Sequence, residues 1–490
     1  MLCAPAATRY IRTPPLRVQQ RRSNHPLVLV SAALRRDAIS PLRLKSPAPM
    51  LATRGAAPPP SPALPVSLEG EGGPESLSPW PVVVGLCALG IALSYADRSN
   101  MSVAVLSMAP EFAWSKTFEG VVLASFFLGY ACTQLVGGQL ADALGGKPVL
   151  AAGLGFWSLA TFATPAAAHS GAAPLLLARV ALGLGEGVAF PAVHSLISRT
   201  VPKARQSTAV ALVTGASYLG AALAFLLVPP LIQARGWSAS FECFGALALL
   251  WLPCWLPLRV AAPALPAPRS RLGLRAAAAA AARELAPLLR RREVLAICGA
   301  QYCGSWGLYG LISWLPTFYS DQYGVPLSDL PQLTFAPYLL QAGVGVAAGF
   351  LADRLIAGGA PRLQVRKRLQ LAGMLLPAAA LLAAASPLAA GSPSLGAALI
   401  DLGLAGSALS LGGVSANHLD IAPRHAGAVF GAGNTAATLA GLASVPVTGA
   451  LLDASGSWAL VFGVTAAHYV LGAVLFAAWA GAEPLPEDGA

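Results

Sequence analysis

The chain has 490 residues, 56% of them hydrophobic and only 11% charged, with a net charge of +11 and a mean hydropathy of +0.63. About a quarter of the residues of a soluble domain are charged, so this composition excludes a water-facing globular surface and points to repeated membrane spans. Fifty Gly and 41 Pro would break soluble helices, but membrane helices tolerate them because neighbours pack closely and re-satisfy freed backbone groups.

Residues 1–54 hold ten Lys and Arg against Asp37 alone, which is +9 of the total. The basic excess therefore belongs to a leader and gives no reason to expect a nucleic-acid partner. An Arg-rich, acid-poor leader without a long apolar core reads as an organelle transit peptide over 1–56, plastid or, alternatively, mitochondrial. A Pro-, Gly-, Ser- and Glu-rich linker follows over 57–81. Apolar stretches then run at 82–105, 118–140, 148–168, 174–198, 208–232 and 238–258. After a basic connector over 259–293 come 294–319, 332–352, 369–389, 395–417, 426–450 and 458–480, and a tail over 482–490. The connector's Ala276–Ala282 run, followed by Arg-Glu, suits either an interfacial helix or a solvated linker.

Loop charges support this count. Lys147, then Arg199, Lys203 and Arg205, then the connector, then Arg354 to Arg368, and finally Arg424 fall on alternate connections, whereas the opposite side carries only Lys116 and Arg235. This positive-inside alternation puts both termini on the basic side. Gly138-Gln-Leu-Ala-Asp142 and Gly349-Phe-Leu-Ala-Asp353 close the second and eighth spans, an internal repeat. The expectation is an all-α polytopic membrane protein of twelve transmembrane helices in two six-helix pseudo-symmetric halves, 82–258 and 294–481, with a substrate path between them.

Ionisable groups inside spans are costly and usually mark function. Asp97 and Arg98 lie in the first span, Arg179 and Glu186 in the fourth. Seven residues place Arg179 and Glu186 on one helix face about 10 Å apart, so each needs a partner from elsewhere; adjacent Asp97 and Arg98 point about 100° apart. Guanidinium groups suit carboxylate and phosphate oxygens, which makes Arg98 and Arg179 the candidate anion ligands. Glu186 and Asp97 are the candidate cation-coupling acids, with structural interhelical salt bridges as the alternative. Tyr309 is a candidate cavity residue, and His194 and Asn434 are candidates for lining the path. Gly138, Asp142, Gly146, Lys147 and Asp353 form gating or bracing motifs at helix ends. The seven Cys show no CxxC or Cys/His cluster, so neither a metal site nor a cofactor is expected, and no phosphate loop or hydrolase motif suggests an enzyme.

Gly137 to Lys147 resembles the loop motif of the major facilitator superfamily. Asp97-Arg-Ser-Asn-Met-Ser102, Ser125-Phe-Phe-Leu-Gly-Tyr130, Arg179 to Gly187 and Asp420-Ile-Ala-Pro-Arg-His-Ala-Gly427 resemble its anion:cation symporter family, most of all the plant plastid phosphate (anion) transporters. That resemblance spans about 80–481. It implies that Arg98 and Arg179 contact the anion and that Glu186 takes part in cation coupling. It further implies a symporter in a plastid envelope or thylakoid bilayer, moving inorganic phosphate or a related anion with Na⁺ or H⁺; a monomer is expected. An organic-anion transporter such as one for ascorbate or glutamate, a non-transporting sensor or scaffold on the same fold, and a mitochondrial inner-membrane address are the alternatives.

Overall fold

The computed structural model describes residues 78–202, 205–260, 286–423 and 425–486. The leader, nearly all of the linker, most of the connector with its Ala run, and the end of the tail lie outside the described residues.

The first half contains α1 (Trp80–Glu111), α2 (Lys116–Leu144), α3 (Gly146–Ser170), α4 (Ala172–Glu186), α5 (Ala189–Thr200), α6 (Gln206–Arg235) and α7 (Trp237–Trp255). The second contains α8 (Arg292–Tyr323), α9 (Leu330–Thr334), α10 (Ala336–Ala357), α11 (Arg362–Ala384), α12 (Pro387–Ala390), α13 (Pro393–Ser407), α14 (Val414–Ile421), α15 (Ala426–Ser455) and α16 (Trp458–Trp479). Among the described residues, ten helices are long and apolar enough to cross a membrane. The sequence predicts twelve. The second and seventh positions are held by α2 and α8, of 29 and 32 residues, both longer than a bilayer requires. Residues 121–138 of α2 are uncharged and apolar, and Leu128, Val136 and Leu140 on it are exposed. The lower apolarity of α8 has a reason: it packs on α15 and α16, so less of its surface meets lipid. Lipid-facing positions elsewhere are apolar, as at Leu177, Leu250 and Phe350.

Two spans are interrupted. The fourth breaks between α4 and α5 because Pro191 has no N–H to donate to Gly187. The tenth breaks at a 3-10 turn, Ala408–Leu411, before Gly412 and Gly413. These are equivalent places in the two halves. The pairings repeat too: α1 with α6 corresponds to α8 with α15, and α3 with α7 to α11 with α16. The halves meet where α2 crosses α15 and where α6 crosses α10.

On the non-basic side this meeting is latched. Asp453, at the end of α15, accepts hydrogen bonds from the backbone N–H groups of Lys116 (3.0 Å) and Thr117 (2.7 Å), capping α2 across the interface. Lys116 Nζ also reaches Asp321 on α8 at 3.2 Å. Gly120 lies against the backbone of Val445 and Pro446, so the two helices touch main chain to main chain. On the basic side, Thr438 donates to Gln134 Oε1 at 3.0 Å, and the His194 and Phe430 rings stack 6.2 Å apart.

Removing the Asp453 cap is expected to loosen the non-basic side. In Asp453→Ala, a cysteine introduced in place of Ser313 should react several-fold faster with a membrane-impermeant thiol reagent applied from that side. An unchanged rate would show that the latch does not hold the interface.

Candidate functional site

The site rests on a close helix crossing. Gly183 sits against the backbone of Phe126 and Tyr130, and Gly129 against that of Val180 and Leu184, so α4 and α2 approach closer than any β-carbon would allow. Gly187 continues this contact one turn on, at Tyr130 and Thr133, while Gly185 on another face meets Gly153 and Trp157 of α3. Arg179 lies one turn before Gly183 and therefore shares its face toward α2. The wedged α4 carries both Arg179 and Glu186.

Glu186 finds its partner on the first span: Arg98 Nε donates to Glu186 Oε2 at 2.8 Å, with side-chain exposures of 9% and 0%. The Arg98 guanidinium lies over three aromatic rings, Tyr95 at 4.6 Å, Phe126 at 4.4 Å and Tyr130 at 4.6 Å. Such a cage offers the cation ring quadrupoles in place of water. Arg179 is 2% exposed and stands 6.0 Å from the Phe126 ring. Its Nε and Nη1 have no hydrogen-bond partner. A buried guanidinium with open donors carries a large unmet demand for an acceptor.

One cavity is lined by Arg98, Arg179, Tyr95, Phe126, Tyr309 and Ser313, with Leu123, Phe127 and Ile312. The first half thus supplies the cations, and α8 faces them with Tyr309, Ile312 and Ser313. Its free volume is ≈ 20 Å³, room for about one water. An oxyanion is larger than this free space. Asp97 turns the other way, as its adjacency to Arg98 predicts: Thr161 on α3 donates to its Oδ2 at 3.2 Å.

The structure therefore brings Arg98, Arg179, Glu186 and Tyr309 together and sets Asp97 behind them. His194 and Asn434 do not line this cavity. His194 sits at the Phe430 contact, and Asn434 is half-buried on α15, its carbonyl accepting from Thr438. Lys147 donates to the carbonyls of Leu256 and Leu258, tying α3 to the end of α7. Gly146 packs on the α5 backbone at Ala192. Gly138 has open space around it and Asp353 is exposed. Asp142 is helical, at the end of α2. Tyr95, Phe126 and Tyr130 went unrecognised, although Tyr95 precedes Arg98 by three residues and Phe126 and Tyr130 are four apart, spacings that place each pair on one helix face.

Residues 87–445 match the Major Facilitator Superfamily. The chain belongs to that superfamily. Membership makes it a multi-pass membrane transporter rather than an enzyme. Sodium-dependent phosphate transport protein 1, chloroplastic, of Arabidopsis thaliana is 35% identical over 402 residues, 81% of this chain and 78% of that protein. The ascorbate transporter, chloroplastic, of the same plant is 34% identical over 429 residues, 85% and 79% of the two chains. These similarities place the chain in the anion:cation symporter family, to which those chloroplastic relatives belong. A rat voltage-gated purine nucleotide uniporter is 32% identical over 78% of this chain and 85% of its own. Among solved structures, a D-xylose–proton symporter matches with a TM-score of 0.66 at 17% identity, covering 83% of this chain and 99% of that one. A bacterial Spinster homologue matches with a TM-score of 0.65 at 18% identity, covering 81% and 96%. At such identities the structural matches establish the major facilitator fold alone.

A β-carbon at the α2–α4 crossing should be disruptive. Gly183→Ala or Gly129→Ala is expected to cost about 1–3 kcal/mol through overpacking, read as a lower unfolding temperature of the detergent-purified protein. Gly138→Ala, in open space, should change it little.

Proposed function

We propose that the chain is a secondary active transporter that carries inorganic phosphate or a related anion, coupled to Na⁺ or H⁺, by alternating access across a plastid membrane. The observation that carries this reading is Arg179: fully enclosed, on the same cavity as Arg98, with two guanidinium donors left open. Those donors suit an oxyanion through the geometry of the guanidinium fork. The names of the chloroplastic relatives support phosphate as the first substrate to test and the plastid as the first location.

The arrangement also suggests how binding would be coupled. Arg98, Arg179, Asp97 and Glu186 sum to zero charge when all are ionised. An arriving anion competes with Glu186 for Arg98 and leaves the enclosed set net negative. Charge in so dry a place is stabilised only by an accompanying cation or proton. Closure of the aromatic side chains over the anion would then depend on both ions being present, which is the requirement for symport.

The full chain reconstituted in liposomes should accumulate labelled phosphate under an inward Na⁺ or H⁺ gradient. Arg179→Gln is expected to lower initial uptake by at least about tenfold, and Arg179→Lys nearly as much, because an ammonium lacks the fork. Glu186→Gln should keep phosphate-for-phosphate exchange but lose gradient-driven accumulation. No phosphate uptake under either gradient, with robust ascorbate or glutamate uptake, would transfer the proposal to organic anions. The aromatic lining and the ascorbate-transporting relative favour that second reading. Residues 1–80 fused to a fluorescent protein should accumulate in plastids, and accumulation in mitochondria would replace that address.

A further inference from the structure

A second polar cluster lies inside the first half, outside the cavity of the two arginines. Asp97 and Asn100 are 1% and 0% exposed. Three residues apart on α1, they share a face with β-carbons about 5–6 Å apart. Both α1 and α3 start on the basic side and run in the same direction, and Thr161 of α3 is level with Asp97, to which its hydroxyl donates. Asp97 Oδ1 has no hydrogen-bond partner, and neither polar atom of Asn100 has one. Buried polar atoms are nearly always paired, and each that is not costs about 1–3 kcal/mol. A cluster of them on one face is a concentrated demand for a ligand.

The chemistry of that ligand follows from the atoms. Asp97 offers a carboxylate oxygen, Asn100 a carboxamide oxygen, and Thr161 keeps hydroxyl lone pairs after donating its proton. Among the described residues, no Lys or Arg hydrogen-bonds to Asp97. Hard oxygens carrying one negative charge suit a small hard cation, not an anion and not a soft metal. A proton on Asp97 would let the carboxyl donate to one acceptor, such as the Asn100 oxygen, but would remove the negative charge and hold no further oxygen. A cation can be shared by all three groups.

We propose that Asp97, Asn100 and Thr161 form a Na⁺ site within the first half, distinct from the anion cavity and filled together with it. This deepens the transport reading and rests on it. Asp97 lies within electrostatic range of both Arg179 and Glu186. Na⁺ at Asp97 thus offsets the negative charge that an anion on Arg179 brings, without touching the anion. Coupling would pass through the field between α1 and α4, not through a shared ligand.

Equilibrium binding tests the site independently of transport. The full-length chain, purified in detergent without phosphate, is titrated with radiolabelled Na⁺ at constant ionic strength, choline replacing Na⁺. Saturable binding is expected. Asp97→Asn should abolish it, and Asn100→Ala and Thr161→Val should each weaken it by about tenfold or more. Thr161→Ser, which keeps the hydroxyl, should bind as the parent does. Should Asp97→Asn fail to fold, the Thr161 pair still decides. Absence of saturable Na⁺ binding to the folded parent, or binding that survives both Asn100→Ala and Thr161→Val, overturns the site. Na⁺ binding that follows this pattern in a protein that does not take up phosphate supports the site and counts against the phosphate reading alone.

Discussion

Arg98 and Glu186 leave water together, and the first half is arranged around that ion pair. Desolvating two charges costs several kcal/mol each, and their mutual attraction offsets this only with good geometry and further contacts. The geometry comes from the 2.8 Å bond, and the further contacts from the Tyr95, Phe126 and Tyr130 rings around the guanidinium. None of this can form unless α4 comes close to α2, which Gly129 and Gly183 permit. Arg179 is the one cation of the set whose demand the protein leaves open, so the pair and its surroundings act as the fixed frame into which that demand is built.

The second half answers this frame without copying its charges. Across the cavity from the arginines stand Tyr309, Ile312 and Ser313 of α8. The backbone scheme does repeat, down to the interrupted fourth and tenth spans. The buried charge of the second half is placed elsewhere: Arg366 holds Asp420 at 2.8 Å and the Gly412 carbonyl at 3.0 Å, bracing the broken tenth span near its basic end. One half therefore carries the chemistry and the other a neutral wall, within a single pseudo-symmetric architecture.

Hydropathy and the alternation of loop charges made the architecture legible in the sequence, because lipid contact and the positive-inside rule act on local composition. The same logic blurs at α8, where a helix hidden from lipid is released from the need to be apolar. Arg98, Arg179 and Glu186 stood out as charges where charges are costly. Their partners did not. Phe126 in an apolar helix looks like packing, and only the rotation of α2 against α1 and α4 turns it toward a guanidinium. The Asp453 cap was hidden for another reason. A carboxylate at the end of its own helix opposes that helix's dipole, and its sense appears only when α2 begins beside it. His194 and Asn434 were expected near the path from position along the chain, which fixes depth but not the direction in which a side chain faces. Gly215 and Gly220 look alike in the sequence of α6, yet Gly215 has open space around it and Gly220 meets the Ala92 backbone.

The wedging of α4 between α2 and α3 has an evolutionary consequence. Glycines on two of its faces leave no slack, so a substitution that enlarged the arginine side of the pocket would also part the helices holding the charges. The α8 wall is free of that constraint. If the cavity is the substrate site proposed above, descendants of this scaffold would acquire bulkier or flatter cargo by changing residues 309, 312 and 313 while the guanidinium pair is inherited intact. Diversity of cargo would then arise on one wall of a pocket whose other wall stands still.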